Sequence, residues 1–233
     1  MKVNEYHGGR SMKNTTLKQQ AYCIIKEKIV NCEYAPNTLL NEEKLKEEIG
    51  ASRTPIRDAI SRLEQERLVT ILPKKGIMVA PLSLREINAV HEVRVLIEPY
   101  TIEHYGQKIP KEKFLDYKET FLRIKNALEN DKIVADDMYE LDDQFHLEFV
   151  NVMENEYFTS IHEQVYNQNR RLRILSGTRG KNRMLETQDE HLKIVEYCIE
   201  EEWESAAEAM KEHLLYAKKS WFNAILQNDD MIL

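Results

Sequence analysis

Residues 52–59 read SRTPIRDA, a stretch with the features of a helix that begins at Ser52. A serine at the N-cap position can accept a hydrogen bond from a backbone N–H of the first turn, and Pro55 lies where a missing N–H costs little. Apolar residues then recur at helical spacing, and the opposite face carries Arg53 and Arg57. The apolar positions are Ile56, Ile60 and Leu63. The stretch therefore predicts an amphipathic helix with a basic outer face.

The elements around this helix are predicted from the same kinds of pattern. The predicted helices cover 16–31 and 41–49, and the predicted strands cover 68–72 and 77–80. Gly50 stands where a left-handed residue would end the second helix, and residues 73–76, Pro-Lys-Lys-Gly, form the turn between the strands. Three helices followed by a hairpin with a basic tip predict a winged helix-turn-helix over residues 15–82.

The outer face of the third helix suits DNA recognition. In a helix-turn-helix the second helix of the motif enters the major groove, with its N-terminal residues at the base edges. Arg53 and Arg57 share a helix face, and a guanidinium can bind guanine O6 and N7 with two hydrogen bonds. Hydroxyl and basic groups at the helix start and the hairpin tip can bind phosphate, and a glycine there allows close approach of the main chain. The candidate DNA-binding residues are Ser52, Arg53, Thr54, Arg57, Lys74, Lys75 and Gly76. The alternative is that these are ordinary surface charges.

The segment from residue 15 to residue 82 resembles the DNA-binding domain of GntR-family bacterial transcription regulators. In that family an S-R-T-P-[VI]-R-[ED]-A segment begins the recognition helix, and residues 35–51 are similar to its A-P-G turn, L-x-E-E-x-L helix and G-[AV] pair. Asn37 and Arg67 stand where the family commonly has glycine. Asparagine tolerates positive φ, and an arginine with positive φ is mildly strained.

The charge of the chain is divided between its two parts. The whole chain carries −7, whereas residues 1–80 carry +4 and residues 81–233 carry −11. A basic N-terminal third is typical of a segment that binds a polyanion. Three cysteines without CxxC spacing argue against a disulfide framework or a thiolate zinc site. Because no long apolar run is present either, we expect a cytoplasmic protein with no membrane partner. Residues 1–14 are expected to form a disordered tail.

The remainder of the chain, residues 83–233, predicts an all-α bundle. Ser83 and Glu86 form a capping box for a helix that runs toward Pro99. Further helical patterns cover 111–129, 133–153, 155–175, 186–201 and 203–226. The protein is therefore predicted to be mainly α-helical, with a second domain for effector binding and dimerisation.

Four residues of this second part have side chains suited to a metal ion. Asp142 and His146 are four residues apart and share a helix face, and His191 and His213 lie on later helices that a bundle could bring to the same point. One carboxylate and three imidazoles suit a borderline divalent ion such as Zn²⁺, Ni²⁺ or Mn²⁺. Spacing alone favours ordinary surface or core histidines.

The same part resembles the FCD domain, the C-terminal domain of the FadR subfamily of GntR regulators. Residues 141–146 are similar to its L-D-x-x-F-H segment, residues 190–214 to its E-H…H-L stretch, and Arg94 with Glu98 to its R-x-x-x-E pattern. In metal-binding FCD domains the ligands are that Asp and three His, which implies the ligand set Asp142, His146, His191 and His213. The family's effectors are typically small carboxylates. Arg94 is therefore a candidate effector contact, although an intrahelical pair with Glu98 is the simpler interpretation. His162 is expected to be an exposed or a packing residue.

Three functions are compatible with these residues. The first is a metabolite-responsive regulator, most simply a repressor, that binds a palindromic operator as a dimer. The second is a metal-dependent hydrolase that uses the Asp/His cluster. It has no obvious general base beside the ligands, and Asp143 and Glu148 are the remaining candidates. The third is a DNA-binding protein without a ligand, in which the cluster is fortuitous.

Overall fold

The computed structural model describes residues 16–132, 135–175 and 180–226. The predicted tail over residues 1–14 lies outside the described residues. The chain divides into two compact units, Met1–Pro81 and Leu82–Leu233. In the described ranges, no helix combines the length and the apolar character that crossing a membrane requires.

The first unit is a winged helix-turn-helix, as the sequence predicts. Its elements are α1 (Leu17–Val30), β1 (Leu39–Leu40), α2 (Glu42–Ile49), α3 (Arg53–Gln65), β2 (Val69–Leu72) and β3 (Gly76–Val79). The sheet has the antiparallel order β1-β3-β2, so the predicted hairpin gains a third strand that is only two residues long. Ile25, Ile56 and Leu63 are fully buried in the core between the helices and this sheet.

Local capping explains where the helices of the motif begin and end. Asn41 caps α2 by accepting from the N–H of Glu43, and Gly50 ends that helix with a φ of 71°. Ser52 occupies the N-cap position of α3 but its side chain makes no capping hydrogen bond, so the predicted hydroxyl cap is wrong. Pro55 nevertheless lies in the first turn, where no intrahelical N–H bond is lost.

The second unit is an all-α bundle. Its helices are α4 (Leu84–Tyr105), α5 (Lys111–Glu129), α6 (Ala135–Asn151), α7 (Glu156–Leu175), α8 (Lys181–Ile199) and α9 (Trp203–Leu226), and a short 3₁₀ turn covers Gly106–Lys108. The first of these helices, which the sequence predicts to run toward Pro99, continues through the proline to Tyr105. Pro99, Thr101 and Ile102 are all buried, so packing on both sides of the proline outweighs its cost to the helix.

An aromatic core supports the interior of the bundle. Phe121 and Phe145 meet edge to face with their centroids 5.1 Å apart, and each lies 4.9 Å from the ring of His191. Apolar residues of α5 face this core, with Phe114 and Phe121 each 1% exposed. Rigid aromatic packing therefore forms one wall of the histidine cluster.

Candidate metal centre and nucleic-acid interface

The bundle brings the four predicted metal ligands together. Asp142 and His146 come from α6, His191 from α8 and His213 from α9, and one potential ligand atom of each lies within 4.8 Å of the others. The Nε2 atoms of His146 and His191 lie 3.9 Å and 3.4 Å from Oδ1 of Asp142. The three histidines are 0–3% exposed. Side chains from three different helices thus converge on a single buried point.

The protonation states of this cluster suit a cation. Burial lowers the pKa of His191 and His213 well below the usual value, so both imidazoles are neutral at physiological pH. Burial works to raise the pKa of Asp142, but the charge of Arg173, the strongest of the opposing influences, helps to lower that pKa below its usual value. A carboxylate beside neutral imidazoles is the form in which these groups bind metal ions.

The available lone pairs fit the same chemistry. Among the described residues, Nε2 of His146 and both ring nitrogens of His191 are buried without a hydrogen-bond partner. Buried polar atoms normally have a partner, so this group of nitrogens calls for an explanation. A divalent ion with oxygen and imidazole ligands would satisfy them, and the donor set fits such an ion.

Arg173, on α7, is a residue of the site that the sequence did not indicate. Its guanidinium donates to Asp142 and to the adjacent Asp143, and its side chain is only 9% exposed. Burial raises the pKa of Asp143, and the charge of Arg173 opposes that rise. A candidate ligand is therefore already paired with a cation from another helix. No spacing pattern links α7 to α6, so sequence reasoning had no means of finding this contact.

Arg94 forms an intrahelical ion pair with Glu98, which is the simpler of the two interpretations that the sequence allowed. Its Nε lies 2.6 Å from Oε1 of Glu98, and the two side chains are 3% and 0% exposed. It also donates to Oδ1 of Asn169 at 3.0 Å and to the hydroxyl of Tyr166 at 3.3 Å. Burial works to raise the pKa of Glu98, but Arg94 outweighs it and holds that pKa well below the usual range.

His162 lies close to this pair. It is 1% exposed, with Nε2 at 3.8 Å from Oε1 of Glu98 and its ring 4.2 Å from that of Tyr166. The expectation of an exposed histidine is therefore wrong, and the packing alternative describes it. Burial lowers its pKa, so it is neutral.

Two carboxylates contact the outer nitrogens of the cluster. Oε2 of Glu98 lies 2.7 Å from Nδ1 of His146, and Oε2 of Glu190 lies 2.7 Å from Nδ1 of His213. Arg183 donates to both oxygens of Glu190, at 2.8 Å and 3.1 Å.

A small cavity opens beside the cluster. Its volume is about 60 Å³. The polar and charged side chains of its wall include Arg94, Asp142, Arg173, Gln188, His191 and His213. The candidate ligands therefore adjoin a space lined by three arginines, since Arg183 also belongs to its wall.

In the first unit, the two predicted base-reading arginines are exposed but paired. The side chains of Arg53 and Arg57 are 65% and 67% exposed. Arg53 donates to Oε1 of Glu43 at 2.6 Å, and Arg57 donates to Glu42 at 3.1 Å. Hydrogen bonds from Lys46 and from Arg53 lower the pKa of Glu43 to about 2. Two carboxylates of α2 therefore hold the arginines of the recognition helix.

The remaining candidate DNA contacts lie at the helix start and at the wing. Ser52 and Thr54 are exposed at the N-terminus of α3, and Lys74 and Lys75 are exposed between β2 and β3. Lys74 has a φ of 64° in the turn. Gly76 has a φ of 117°, and a Cβ there would lie 3.1 Å from the carbonyl oxygen of Leu40. The turn and the contact with β1 therefore require this glycine, independently of any DNA.

Comparison with known proteins agrees with both units. Residues 89–216 match the FCD domain family, and residues 17–79 match the gntR family of bacterial regulatory proteins. The chain is 27% identical over 207 residues to the uncharacterized HTH-type transcriptional regulator YdhC of Bacillus subtilis strain 168, covering 87% of this chain and 88% of YdhC. It is 29% identical over 130 residues to the HTH-type transcriptional repressor RspR of Escherichia coli strain K12, covering 56% of each chain.

A solved structure shares the fold. E. coli McbR/YncC superimposes with a TM-score of 0.76 at 15% identity, covering 92% of this chain and 100% of that one. The FCD match spans more than half of the chain, and the gntR match covers the winged helix-turn-helix. The chain therefore belongs to the GntR-family DNA-binding transcription regulators that carry an FCD domain.

Proposed function

We propose that this chain is a metabolite-responsive regulator of the FadR subfamily, whose second unit binds a divalent ion together with a small carboxylate. The observation that carries the proposal is the convergence of Asp142, His146, His191 and His213 beside a cavity. The first unit of the same chain presents a basic recognition helix. Such a chain has the two parts that ligand-controlled DNA binding requires.

The charges around the cluster favour an anionic effector. Each carboxylate of the site has an arginine partner in the described structure. The pairs are Asp142–Arg173, Asp143–Arg170, Glu98–Arg94 and Glu190–Arg183. The side chains therefore balance one another without an ion, and a divalent cation would add positive charge that they do not neutralise. A carboxylate would compensate that charge in a low-dielectric site.

The four ligands would hold Zn²⁺, Ni²⁺ or Mn²⁺. The bound ion would supply coordination positions beyond those four, which an effector carboxylate could fill. Arg173 lies in the cavity wall, where its guanidinium can also receive a carboxylate. Arg94 lines the same cavity, but its guanidinium already donates to Glu98, Asn169 and Tyr166. We therefore propose that Arg94 favours an anionic effector through its charge, without a hydrogen bond to it.

The first unit would read DNA. Arg53 and Arg57 would contact base edges, while Ser52, Thr54 and the lysines of the wing would contact phosphates. A homodimer would place two recognition helices on a palindromic operator in the cytoplasm. Repression is the simpler mode, and RspR is named as a repressor. Effector binding would weaken DNA binding through a coupling of about 1–3 kcal/mol.

The hydrolase alternative gains no support. The two candidate bases are both engaged, Asp143 with Arg170 and Arg173, and Glu148 with Lys113 at 2.5 Å. YdhC and RspR are both named as transcriptional regulators.

The experiment combines an operator selected from random-sequence duplexes with a panel of small carboxylates. Calorimetry on zinc-loaded and chelator-treated full chain measures carboxylate binding, and fluorescence anisotropy measures operator affinity. The proposal predicts that carboxylates bind only the zinc-loaded protein and lower its operator affinity by about 5–150-fold. Carboxylates that bind neither form, or that leave operator affinity unchanged, would contradict it.

A further inference from the structure

The orientation of the histidines is determined by groups outside the ligand set. A neutral imidazole has one N–H donor and one bare nitrogen, and only the bare nitrogen can bind a metal ion. Nδ1 of His146 lies 2.7 Å from Oε2 of Glu98. An ionised carboxylate only accepts hydrogen bonds, so the proton of His146 is on Nδ1. Its Nε2, 3.9 Å from Oδ1 of Asp142, is then the bare nitrogen facing the cluster.

His213 has the same arrangement on a different pair of helices. Its Nδ1 lies 2.7 Å from Oε2 of Glu190, so the proton is again held on Nδ1. The ring of His213 stacks on that of His146, with centroids 5.1 Å apart and planes inclined by 24°. With Nδ1 protonated in both rings, Nε2 is the nitrogen that each has left to bind an ion.

Both carboxylates are themselves held in place. Arg94 binds Glu98 at 2.6 Å, and Arg183 binds the two oxygens of Glu190 at 2.8 Å and 3.1 Å. Glu98 lies on α4 and Glu190 on α8, whereas the histidines that they contact lie on α6 and α9. Each carboxylate therefore connects one helix to another as well as orienting a ring.

His191 provides a contrast within the same site. Neither of its ring nitrogens has a hydrogen-bond partner among the described residues, and its neighbours include the rings of Phe121 and Phe145. Packing therefore positions this ring. Oδ1 of Asp142 lies 3.4 Å from its Nε2, but no hydrogen bond from a described residue fixes its tautomer.

We propose that Glu98 and Glu190 are positioning residues of the metal site, which hold the Nδ1–H tautomers of His146 and His213 so that both rings present Nε2 to one ion. The expected effect on metal binding rests on the proposed metal site. The two tautomers do not depend on it, because they are properties of the metal-free protein. Such outer carboxylates raise the basicity of the imidazole and reduce the reorganisation needed for binding.

The first test measures zinc affinity of the full chain by competition with a chromophoric chelator. Glu190→Gln is expected to weaken zinc binding about 10–100-fold. Glu186→Gln is the matched control, because Glu186 lies one turn away on α8 and contacts the same Arg183 at 3.7 Å, but is exposed. Glu190→Asp, which retains the charge, should recover part of the affinity. Equal affinities for Glu190→Gln and Glu186→Gln would overturn the proposal.

The second test needs no metal. Nitrogen NMR of histidine-labelled, chelator-treated protein reports which ring nitrogen carries the proton. We expect Nδ1–H for His146 and His213 in the wild type, and loss of that preference at His213 in Glu190→Gln and at His146 in Glu98→Gln. Nε2–H at both rings of the wild type would overturn the inference even if zinc binds. Correct tautomers without zinc binding would leave the orientation intact and refute the metal site.

Discussion

Replacing Arg94 by methionine tests whether this residue stabilises the bundle or serves only an effector. Arg94→Met would leave Glu98 ionised at 0% exposure with its arginine partner removed. It would also remove the donors to Asn169 and Tyr166. Removing one member of a buried ion pair costs about 3–5 kcal/mol, and no solvent screening reduces this value at full burial. At about 2–4 °C per kcal/mol for a unit of this size, the melting temperature should fall by roughly 6–20 °C.

Thermal unfolding followed by circular dichroism measures this loss. Lys193→Met is the matched control, because the pair of Lys193 and Glu212 is 51% and 48% exposed, and its loss should change stability by less than about 1 kcal/mol. Arg94→Met/Glu98→Gln should recover much of the stability, since no unpaired charge remains buried. Wild-type stability in Arg94→Met, with effector binding lost, would refute the structural role.

The other predictions concern the DNA-binding face and the thiols. Arg57→Ala should cost about 1–3 kcal/mol of discrimination between operator bases. Lys75→Ala should instead weaken binding to all sequences and reduce the salt dependence of binding. Anisotropy titrations in which the two variants behave alike would contradict these roles. In the same titrations Glu43→Gln should strengthen binding to all duplexes, because it removes a negative charge near the phosphates and frees Arg53. Weaker binding would show that the ion pair of Arg53 and Glu43 holds the arginine in its binding orientation. Burial raises the pKa of Cys198 to about 12, so iodoacetamide at pH 8 should alkylate the exposed Cys23 and spare Cys198 until the chain unfolds; mass spectrometry that finds equal rates would oppose the burial.

Local sequence was sufficient to predict most of the secondary structure of the first unit. Caps, periodicity and turn residues are short-range features, and they placed all three helices and the wing. Asn37 and Arg67, which replace glycines of the family pattern, both adopt positive φ, 66° and 58°. The strand Leu39–Leu40 was missed because two residues cannot show an alternating pattern, and its pairing with β3 is a tertiary contact.

The second unit was less accessible from sequence. Spacing could relate Asp142 to His146 within one helix, but only the family resemblance indicated that His191 and His213 join them. The contact of Arg173 with Asp142 and the burial of His162 arise from packing between helices, and no periodicity within one helix encodes it. The continuation of α4 through Pro99 also arises from packing between helices, because burial of this part of α4 outweighs the cost of a proline inside a helix.

Elemental analysis of the purified full chain measures whether Asp142, His146, His191 and His213 bind a metal ion. The wild type should contain a stoichiometric divalent metal, and His146→Ala/His191→Ala should lose it while retaining its helical circular dichroism. A folded wild type that takes up no Zn²⁺, Ni²⁺ or Mn²⁺ when each is supplied would show that these residues bind no such ion. A double variant that retains the metal would show that the ion binds elsewhere.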